Sequence, residues 1–357
     1  MILRHRHATQ YACCRAARPT PIALDPPGSR ISKLASATIS VMNPRSESRR
    51  VVRTGDLSLV CHVRGRGPRC VAHPAGPGMH WSYLRMPLAE RDHTMIYVEP
   101  AGTGDSSALP RGVRYDLATY VRHLDAVVRA FDDEPVFVLG HGHGGFIAQS
   151  YALTDPDGLA GLVLYSTGPA ADAQMLAQAR WNLHRDTLDN PTGAAEHGAN
   201  GDYSGDTGAA NSGTGTSAAD TGEYDVDAAT RRLREILPSH FAHWEHRRIE
   251  FAPMVAQVRC WPRPAADFAA FDLRRELSSI TVPTLILAGA HDFVFGPPAA
   301  ATLRAAMPEA SVAIFENSGR FAHVEETERF VHVLAEFTSG SRQRQLHGPA
   351  GGDGLAW

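Results

Sequence analysis

The stretch 135–153 constrains the fold more than any other part of the sequence. Four consecutive apolar residues, Val136 to Leu139, predict a buried parallel strand, because such a strand is covered on both faces. Glycines recur through 140–145, which predicts a sharp turn. Apolar residues then return at roughly helical spacing from Phe146 to Leu153. A strand, a sharp turn and a helix in this order indicate a sheet whose strands alternate with helices.

The same alternation extends along most of the chain. It predicts the α/β class, with a mostly parallel, doubly wound sheet, and several glycine-rich loops that directly follow strands. Because the carboxyl ends of parallel strands meet at one edge of the sheet, we expect these loops to converge there. The pattern predicts strands at 57–63, 69–72, 93–98, 136–139, 159–164, 283–287 and 311–315, and helices at 115–131 and 328–337.

A helical pattern interrupts the strands in the second half of the sequence. Helices are predicted at 174–188, 226–244 and 247–258. The sheet domain therefore comprises 51–168 and 279–339, with 169–278 inserted as a helical cap. Within the cap, 191–224 consists largely of Gly, Ala, Ser, Thr, Asp and Asn. Such a segment buries too little apolar surface to offset its ordering entropy, so we expect a disordered insertion.

Both ends of the chain differ in composition from the sheet domain. Residues 1–50 are rich in Arg, Ala and Pro and lack the apolar region of a secretory signal. We expect a disordered arm, and three origins stay open: a start of translation at Met1, a start at Met42, or an organelle transit peptide. Residues 340–357 are rich in Gly and Gln, which favours a loose tail.

Composition excludes several classes of partner. A hydrophobic content of 43% suits a chain of 357 residues with a sizeable core. A net charge of −3 without a basic stripe argues against nucleic acid, and no apolar run approaches the roughly 20 residues that span a bilayer. The five cysteines lack metal-ligand spacing, which favours free thiols in the cytoplasm. We expect a small-molecule ligand, no metal and no cofactor, and the oligomeric state stays open.

Five landmarks, each after a predicted strand, resemble the α/β-hydrolase superfamily and within it the proline-iminopeptidase-like group. The resemblance covers about 52–339. The landmarks are the His-Pro-Ala-Gly-Pro-Gly loop at 73–78, the Gly-x-Gly-x-Ser loop at 102–106, the turn Gly-His-Gly-His-Gly at 140–144, Ala-His-Asp at 290–292, and Gly-x-Phe-x-His-x-Glu at 319–325. The third landmark corresponds to the nucleophile turn, written G-x-S-x-G in this superfamily.

The resemblance implies a site and two departures from it. The acid of the family's Ser-His-Asp triad corresponds to Asp292. The two oxyanion donors would be the backbone N–H of His143 and that of Ala75 or Gly76, and backbone donors do not depend on side chains. Gly142, however, stands at the nucleophile position.

The base position also departs from the family. The family's base histidine directly follows the glycine of Gly-His-Phe, and here Arg320 follows Gly319. For Arg320 beside Asp292 we expect a bidentate ion pair, with an anion clamp as the alternative. His323, three residues further, is a candidate substitute base, although a structural or capping role is favoured.

Other side chains near the implied site have two interpretations each. His143 flanks the vacant nucleophile position and is a candidate catalytic side chain, although the resembled proteins also carry histidine there. The cap acids Glu245, Glu250 and Asp267 could bind a substrate amine, and a solvated helix face is the favoured interpretation for each.

Three functions follow from these residues. The first is a hydrolase scaffold used for non-hydrolytic chemistry on a small molecule, which needs oxyanion donors but no nucleophile. The second is a catalytically silent ligand-binding protein. The third is a weak hydrolase of small amides or esters that uses a substitute histidine. Whether the protein is an enzyme stays open at this stage, because glycine has no hydroxyl and arginine does not accept a proton.

Overall fold

An eight-stranded sheet forms the centre of the fold in the computed structural model, which describes residues 47–110, 112–131, 133–154, 157–171, 177, 225–261 and 271–347. All the strands lie in one unit, residues 44–357. The order across the sheet is β1-β2-β4-β3-β5-β6-β7-β8. The strands are β1 Glu47–Thr54, β2 Leu57–Gly65, β3 Arg69–His73, β4 Thr94–Val98, β5 Val136–His141, β6 Leu159–Tyr165, β7 Thr284–Gly289 and β8 Ser311–Phe315.

The sheet is mostly parallel. The pairs β1/β2 and β2/β4 are antiparallel, and every other neighbouring pair is parallel. The predicted α/β class is therefore confirmed. β1 begins at Glu47 and pairs with β2 along its full length, so the expectation of disorder was wrong for 47–50. These residues are ordered by the ladder with β2, which their composition does not reveal. Residues 1–46 lie outside the described part of the chain.

Helices cover both faces of the sheet. The described helices are α1 Leu117–Arg129, α2 His143–Thr154, α3 Val226–Ile236, α4 Trp244–Gln257, α5 Pro297–Ala306, α6 Ala322–Glu325 and α7 Thr327–His347. Residues of α1, α2 and α5 belong to one apolar cluster, and residues of α7 belong to a second. Side chains of β5 alternate between the two clusters: Val136 and Val138 lie in the first, Phe137 and Leu139 in the second. Both faces of β5 are thus buried, as its sequence predicts.

The helix bounds depart from the sequence pattern at two places. The helix predicted at 226–244 ends at Ile236 and continues as a 3₁₀ turn, Leu237–His240, because Pro238 has no N–H to continue the α-helical hydrogen bonds. The predicted loose tail is helical as far as His347, since α7 continues the helix predicted at 328–337. The remaining tail, the helix predicted at 174–188 and the insertion 191–224 lie outside the described residues.

The carboxyl end of β7 supports the loop that contains Arg320. The amide of His291, just after β7, donates to the carbonyl of Ser318 at 3.0 Å. Gly289 closes β7, and a Cβ at this position would collide with the backbone oxygens of Ser318 and Gly319. Glycine is therefore required at 289 for the close approach that sets the position of Arg320.

Gly289→Ala should destabilise the protein by about 2–3 kcal/mol, because the added methyl group forces the Arg320 loop away from β7. Gly158→Ala is the matched control, since its Cβ would meet side-chain atoms of Val128 and Tyr151 at 3.6 and 3.8 Å, an ordinary contact distance. The measurement is urea unfolding followed by circular dichroism. Equal stability of the two variants would contradict the proposed close approach.

Candidate functional site

The turn between β5 and α2 is held in a left-handed conformation. Gly142 has φ +53°, a region that side chains other than glycine rarely adopt. Its N–H donates to the carbonyl of Tyr165 at 3.0 Å, and its carbonyl accepts from Gly145 N–H at 2.9 Å and from Thr167 Oγ1 at 2.8 Å. The turn is therefore held by hydrogen bonds to Tyr165, the last residue of β6, to Thr167 just after β6, and to Gly145 within the turn.

The guanidinium of Arg320 lies against Gly142. A Cβ at position 142 would stand 2.6 Å from Arg320 Nη2 and 3.2 Å from the Cβ of Ala75. Arg320 is 2% exposed, so this cation is buried. The position that the resemblance assigns to the nucleophile and the position that it assigns to the base are thus adjacent, with the arginine extending from one toward the other.

Asp292 also lies near the guanidinium of Arg320. Its Oδ1 accepts hydrogen bonds from the N–H groups of Val294 and Phe295 at 2.9 and 3.0 Å. Its Oδ2 lies 3.7 Å from Arg320 Nη1 and accepts no hydrogen bond from the described residues. The expected bidentate ion pair is therefore not formed. The two amides hold Oδ1, and Nη2 is the guanidinium nitrogen that lies near the Cβ position of residue 142.

The backbone of Arg320 is bound both to the helical segment between β6 and β7 and to the core. Its N–H donates to the carbonyl of His240 in the 3₁₀ turn before α4, at 2.8 Å. Its carbonyl accepts from Nε2 of His141 at 3.2 Å, and the 5.3 Å distance from its Cζ to the ring centroid of Phe295 allows a cation–π contact. Arg320 is therefore positioned by elements on three sides.

Glu325 holds the loop that contains Arg320 through hydrogen bonds of its carboxyl group. Its Oε1 accepts from Gly319 N–H at 2.8 Å, and its Oε2 accepts from Ala242 N–H at 2.7 Å, so one carboxyl group joins the Arg320 loop to the cap. Burial raises its pKa to about 7, although the hydrogen bonds from Ala242 and Gly319 oppose the shift. The sequence identified Glu325 as part of a landmark and gave no sign of the contact with Ala242.

A chain of hydrogen bonds connects the first glycine-rich loop to Arg320. The N–H of Ala75 donates to Tyr83 Oη at 2.6 Å, and Tyr83 Oη in turn bonds to His141 Nδ1 at 2.7 Å. His141 Nδ1 therefore accepts and Nε2 carries the proton donated to the Arg320 carbonyl. Because Tyr83 engages the Ala75 amide, the expected oxyanion donor in this loop is Gly76 and not Ala75. Tyr83 was missed, and so were the hydrogen bonds of His141, since the partners of both residues are distant in sequence.

His143 and His323 are both buried. His143, the first residue of α2, packs edge-on against Tyr120, and burial lowers its pKa well below the usual value. Its ring is therefore neutral, while its backbone N–H lies at the helix start as the resemblance implies. His323 bonds through Nδ1 to Tyr165 Oη and through Nε2 to the carbonyl of Tyr83, both at 2.9 Å. Both ring nitrogens of His323 are engaged in the core, which supports a structural role.

The cap acids lie apart from the buried pair. Glu245 and Glu250 are exposed, and Glu250 pairs with Arg247 through an Oε1–Nη2 distance of 2.7 Å. A solvated helix face accounts for both. Asp267 lies outside the described residues.

Glu99, at the carboxyl end of β4, is a buried acid that the sequence did not single out. Its Oε1 lies 2.7 Å from His62 Nε2, and its Oε2 accepts from the N–H of Asp105 at 2.7 Å. Burial opposes ionisation, but hydrogen bonds from His62 and His80 outweigh it and lower the pKa. Glu99 thus fixes the loop 99–106 as an ionised carboxylate.

Within the described residues, no three His, Cys, Asp or Glu side chains are grouped so that they could hold a metal ion. None of the described helices is both long and apolar enough to cross a membrane.

Comparison with known proteins adds the family context. A family model described as "alpha/beta hydrolase fold" matches residues 71–327. A proline iminopeptidase of Clostridium botulinum is 26% identical over 286 residues, which cover 77% of this chain and 91% of that protein. A 2-hydroxy-6-oxononadienedioate/2-hydroxy-6-oxononatrienedioate hydrolase of Paraburkholderia xenovorans is 24% identical over 319 residues, covering 85% and 99%.

Among solved structures, the proline iminopeptidase of Mycobacterium smegmatis superposes with a TM-score of 0.60 at 20% identity, covering 84% of this chain and 100% of that one. At this level of identity the likeness concerns the fold. Together with the family match it confirms the expected sheet with flanking helices and the expected similarity to proline iminopeptidases.

The stability of the protein should fall as the pH falls from about 6.5 to 4.5. Burial lowers the pKa values of His73, His123 and His323 to about 4, so these neutral histidines stabilise the fold above their unfolded pKa near 6.5, and that stability is lost on acidification. Glu325, with a pKa raised to about 7, acts in the opposite direction. Burial also lowers the pKa values of His143 and His93, so the neutral histidines outnumber the one acid, and unfolding takes up protons as the pH falls through this range.

The measurement is urea unfolding at a series of pH values. His123→Gln should reduce the slope by about 1.4 kcal/mol per pH unit, the value for one proton, because it removes one of the buried histidines whose pKa is lowered. A stability that is constant or increases from pH 6.5 to 4.5 would contradict the assignment of buried neutral histidines.

Proposed function

Because the chain belongs to the α/β-hydrolase fold family, we propose that it carries out non-hydrolytic chemistry on a small molecule at the junction of Gly142, Asp292 and Arg320. One observation carries this proposal: Arg320 Nη2 lies 2.6 Å from where a Cβ at position 142 would stand. The place of a nucleophilic side chain is filled by a cation.

In this proposal, the site lacks two of the three side chains that acyl-enzyme hydrolysis requires. Glycine offers no hydroxyl to attack a carbonyl, and a guanidinium with a pKa above about 12 accepts no proton. In a well-studied protease, loss of the triad costs a factor of about 2 × 10⁶ in kcat. The hydrolytic reactions in the names of the relatives above therefore need groups that this site does not provide.

The groups that are present suit reactions in which negative charge develops on an oxygen. The Arg320 guanidinium and the amides of Gly76 and His143 are donors for a developing oxyanion, and donors held in place before the reaction are the largest single contribution in many enzymes. Elimination, isomerisation, decarboxylation and cyclisation of a carbonyl compound all pass through such a charge. Because residue 142 is glycine, the group next to the reacting substrate is the Arg320 guanidinium and not a hydroxyl.

A ligand-binding protein without catalysis is the second candidate. The observation that favours it is the position of Asp292, whose Oδ2 lies 3.7 Å from Arg320 Nη1. The carboxylate is thus placed to neutralise Arg320 and not to remove a proton from a ligand at Gly142. The third candidate, a weak hydrolase with His323 as its base, is disfavoured by the hydrogen bonds to both ring nitrogens of His323.

We expect hydrolysis only when Gly142 is replaced by serine and Arg320 by histidine in the same protein. Gly142→Ser alone restores a hydroxyl whose proton has no acceptor, and its Cβ crowds Arg320 Nη2. Gly142→Ser with Arg320→His rebuilds the relay to Asp292, and the effects should be strongly non-additive. The measurements are fluorophosphonate labelling with peptide mapping and hydrolysis of p-nitrophenyl acetate and a proline arylamide.

The wild-type protein and both single variants should stay unlabelled in the pocket and close to background in hydrolysis. Labelling of a wild-type residue in or facing the turn 140–145 would contradict the proposal. If Gly142→Ser alone is as active as the double variant, another residue is the base, and His323→Gln in that background identifies whether it is His323.

A further inference from the structure

The first glycine-rich loop, residues 73–80, is paired with a segment that directly follows α4. The N–H of His80 donates to the carbonyl of Arg259 at 2.9 Å, and the N–H of Trp261 donates to the carbonyl of Gly78 at 2.8 Å. The loop is therefore tied to the helical part of the chain between β6 and β7.

The pairing has the geometry of an antiparallel ladder. Met79 and Cys260 lie opposite each other as an isolated antiparallel bridge. The two hydrogen bonds flank this pair and do not join its members, so the pair belongs to the closer class of antiparallel neighbours, with Cα atoms about 4.5 Å apart. Met79 is buried. Residues 259–261 are called the paired segment below.

Glycine at position 78 permits this close approach. Gly78 has φ +94°, and a Cβ there would stand 1.8 Å from the backbone oxygen of Trp261. A side chain at 78 would therefore collide with the paired segment, in addition to the strain of the left-handed conformation. The pairing itself thus requires glycine at this position.

The other edge of the paired segment is fixed to α3. The N–H of Cys260 donates to Thr230 Oγ1 at 3.1 Å, and Arg234 Nε donates to the carbonyl of Val258 at 3.1 Å. Thr230 and Val258 are both buried. The paired segment therefore connects α3 and the end of α4 with the loop 73–80.

The loop reaches the candidate site near its start. The N–H of Ala75 donates to Tyr83 Oη at 2.6 Å, and Ala75 Cβ lies 3.2 Å from the Cβ position of residue 142. Gly76, the expected oxyanion donor, lies between this contact and Gly78. Its position is therefore set from two sides, by Tyr83 and by the paired segment.

The pairing is a small contact that could open by itself. Among the described residues, the backbone of 76–80 makes two hydrogen bonds to other segments, and both go to the paired segment. The side chain of His80 adds a contact with the sheet, since its Nε2 lies 3.8 Å from Oε1 of Glu99. Two backbone hydrogen bonds can open locally while the sheet stays folded. Such an opening would release the loop at Gly76.

We propose that the paired segment positions the expected oxyanion donor, so that the Gly76 amide is in place beside residue 142 only while 259–261 is paired with the loop. The inference rests on the proposed function for the role of Gly76, and it deepens that function by adding a control of the same site. A movement of α3 and α4 away from the sheet separates the pair and withdraws the donor. The paired segment acts through Gly76 and is a positioning element.

A change at Gly78 tests the proposal by breaking the pairing. In Gly78→Ala the added methyl group overlaps the Trp261 carbonyl oxygen, so the buried Ala75 amide should exchange its hydrogen at least about tenfold faster than in the wild type. Gly112→Ala is the matched control and should exchange as the wild type does at this amide. Gly112 also has a left-handed φ, +82°, but a Cβ there would meet no atom of the described residues within 4 Å.

Hydrogen exchange is measured by mass spectrometry with fragmentation to single amides. Exchange at Val138 of β5 reports unfolding of the whole sheet, because this residue is buried in the core. A merely structural loss would raise the exchange rates of both amides alike. An increase at Ala75 no larger than that at Val138 overturns the proposal.

A reversible cross-link closes the pairing and leaves Gly78 unchanged, so it also tests the proposal if Gly78→Ala does not fold. Met79→Cys places a thiol opposite that of Cys260, at a Cα separation that suits a disulfide. After oxidation with copper phenanthroline, peptide mapping should show a disulfide between positions 79 and 260. Wild-type protein treated in the same way identifies disulfides of the other cysteines. Absence of the 79–260 disulfide overturns the proposal.

The oxidised and reduced forms of this variant are then compared with each other. The Ala75 amide should exchange at least about tenfold slower in the cross-linked form, because the disulfide prevents local opening of the pairing. Equal exchange of this amide in the two forms overturns the positioning role.

Failure of this inference and failure of the proposed function give different results. Fluorophosphonate labelling of the wild-type turn 140–145 would contradict the proposed function, whereas the exchange comparisons test the pairing in either case. An unlabelled protein whose Ala75 amide exchanges equally in the cross-linked and reduced forms keeps the non-hydrolytic function and loses the positioning role of 259–261.

Discussion

The Arg320 guanidinium occupies the space that a side chain at residue 142 would need, and the rest of the site depends on this arrangement. The identities of residues 142 and 320 depend on each other. A side chain at 142 would occupy the space of Nη2, and a buried arginine needs a carboxylate such as Asp292 within reach. A side chain at 142 and an arginine at 320 therefore exclude each other in this arrangement. The result is a positive charge fixed beside the turn 140–145, and we propose that it takes the place of the neutral histidine and the hydroxyl of the resembled hydrolases.

The surrounding fold holds this charge from several directions. The cap contributes the carbonyl of His240, the core contributes the ring of His141, and Glu325 joins the Arg320 loop to Ala242 of the cap. A shift of the cap segment that contains His240 and Ala242 would move the guanidinium relative to α2. The segment that contains His240 and Ala242 is thus connected to the guanidinium through the backbone of Arg320 and through Glu325.

Sequence patterns predicted the parts of the structure that depend on neighbours along the chain. The turn at Gly142 and the α/β class follow from local spacing, and the family resemblance brought Asp292 and Arg320 to the same place. Contacts between distant segments were missed: β1 is ordered by pairing with β2, and Tyr83 occupies the Ala75 amide. The bidentate ion pair failed because the amides of Val294 and Phe295 already hold Asp292 Oδ1. Competition between backbone amides and a guanidinium for one carboxylate cannot be predicted from the sequence.

The interdependence of residues 142 and 320 is the central claim, and a double-mutant cycle on stability tests it most directly. Gly142→Ala should cost more with Arg320 present than in the Arg320→His background, because its Cβ would stand 2.6 Å from Nη2 and the strain of φ +53° is common to both. The account predicts a coupling free energy of at least about 1 kcal/mol in urea unfolding. Additive costs, within error, would contradict the contact.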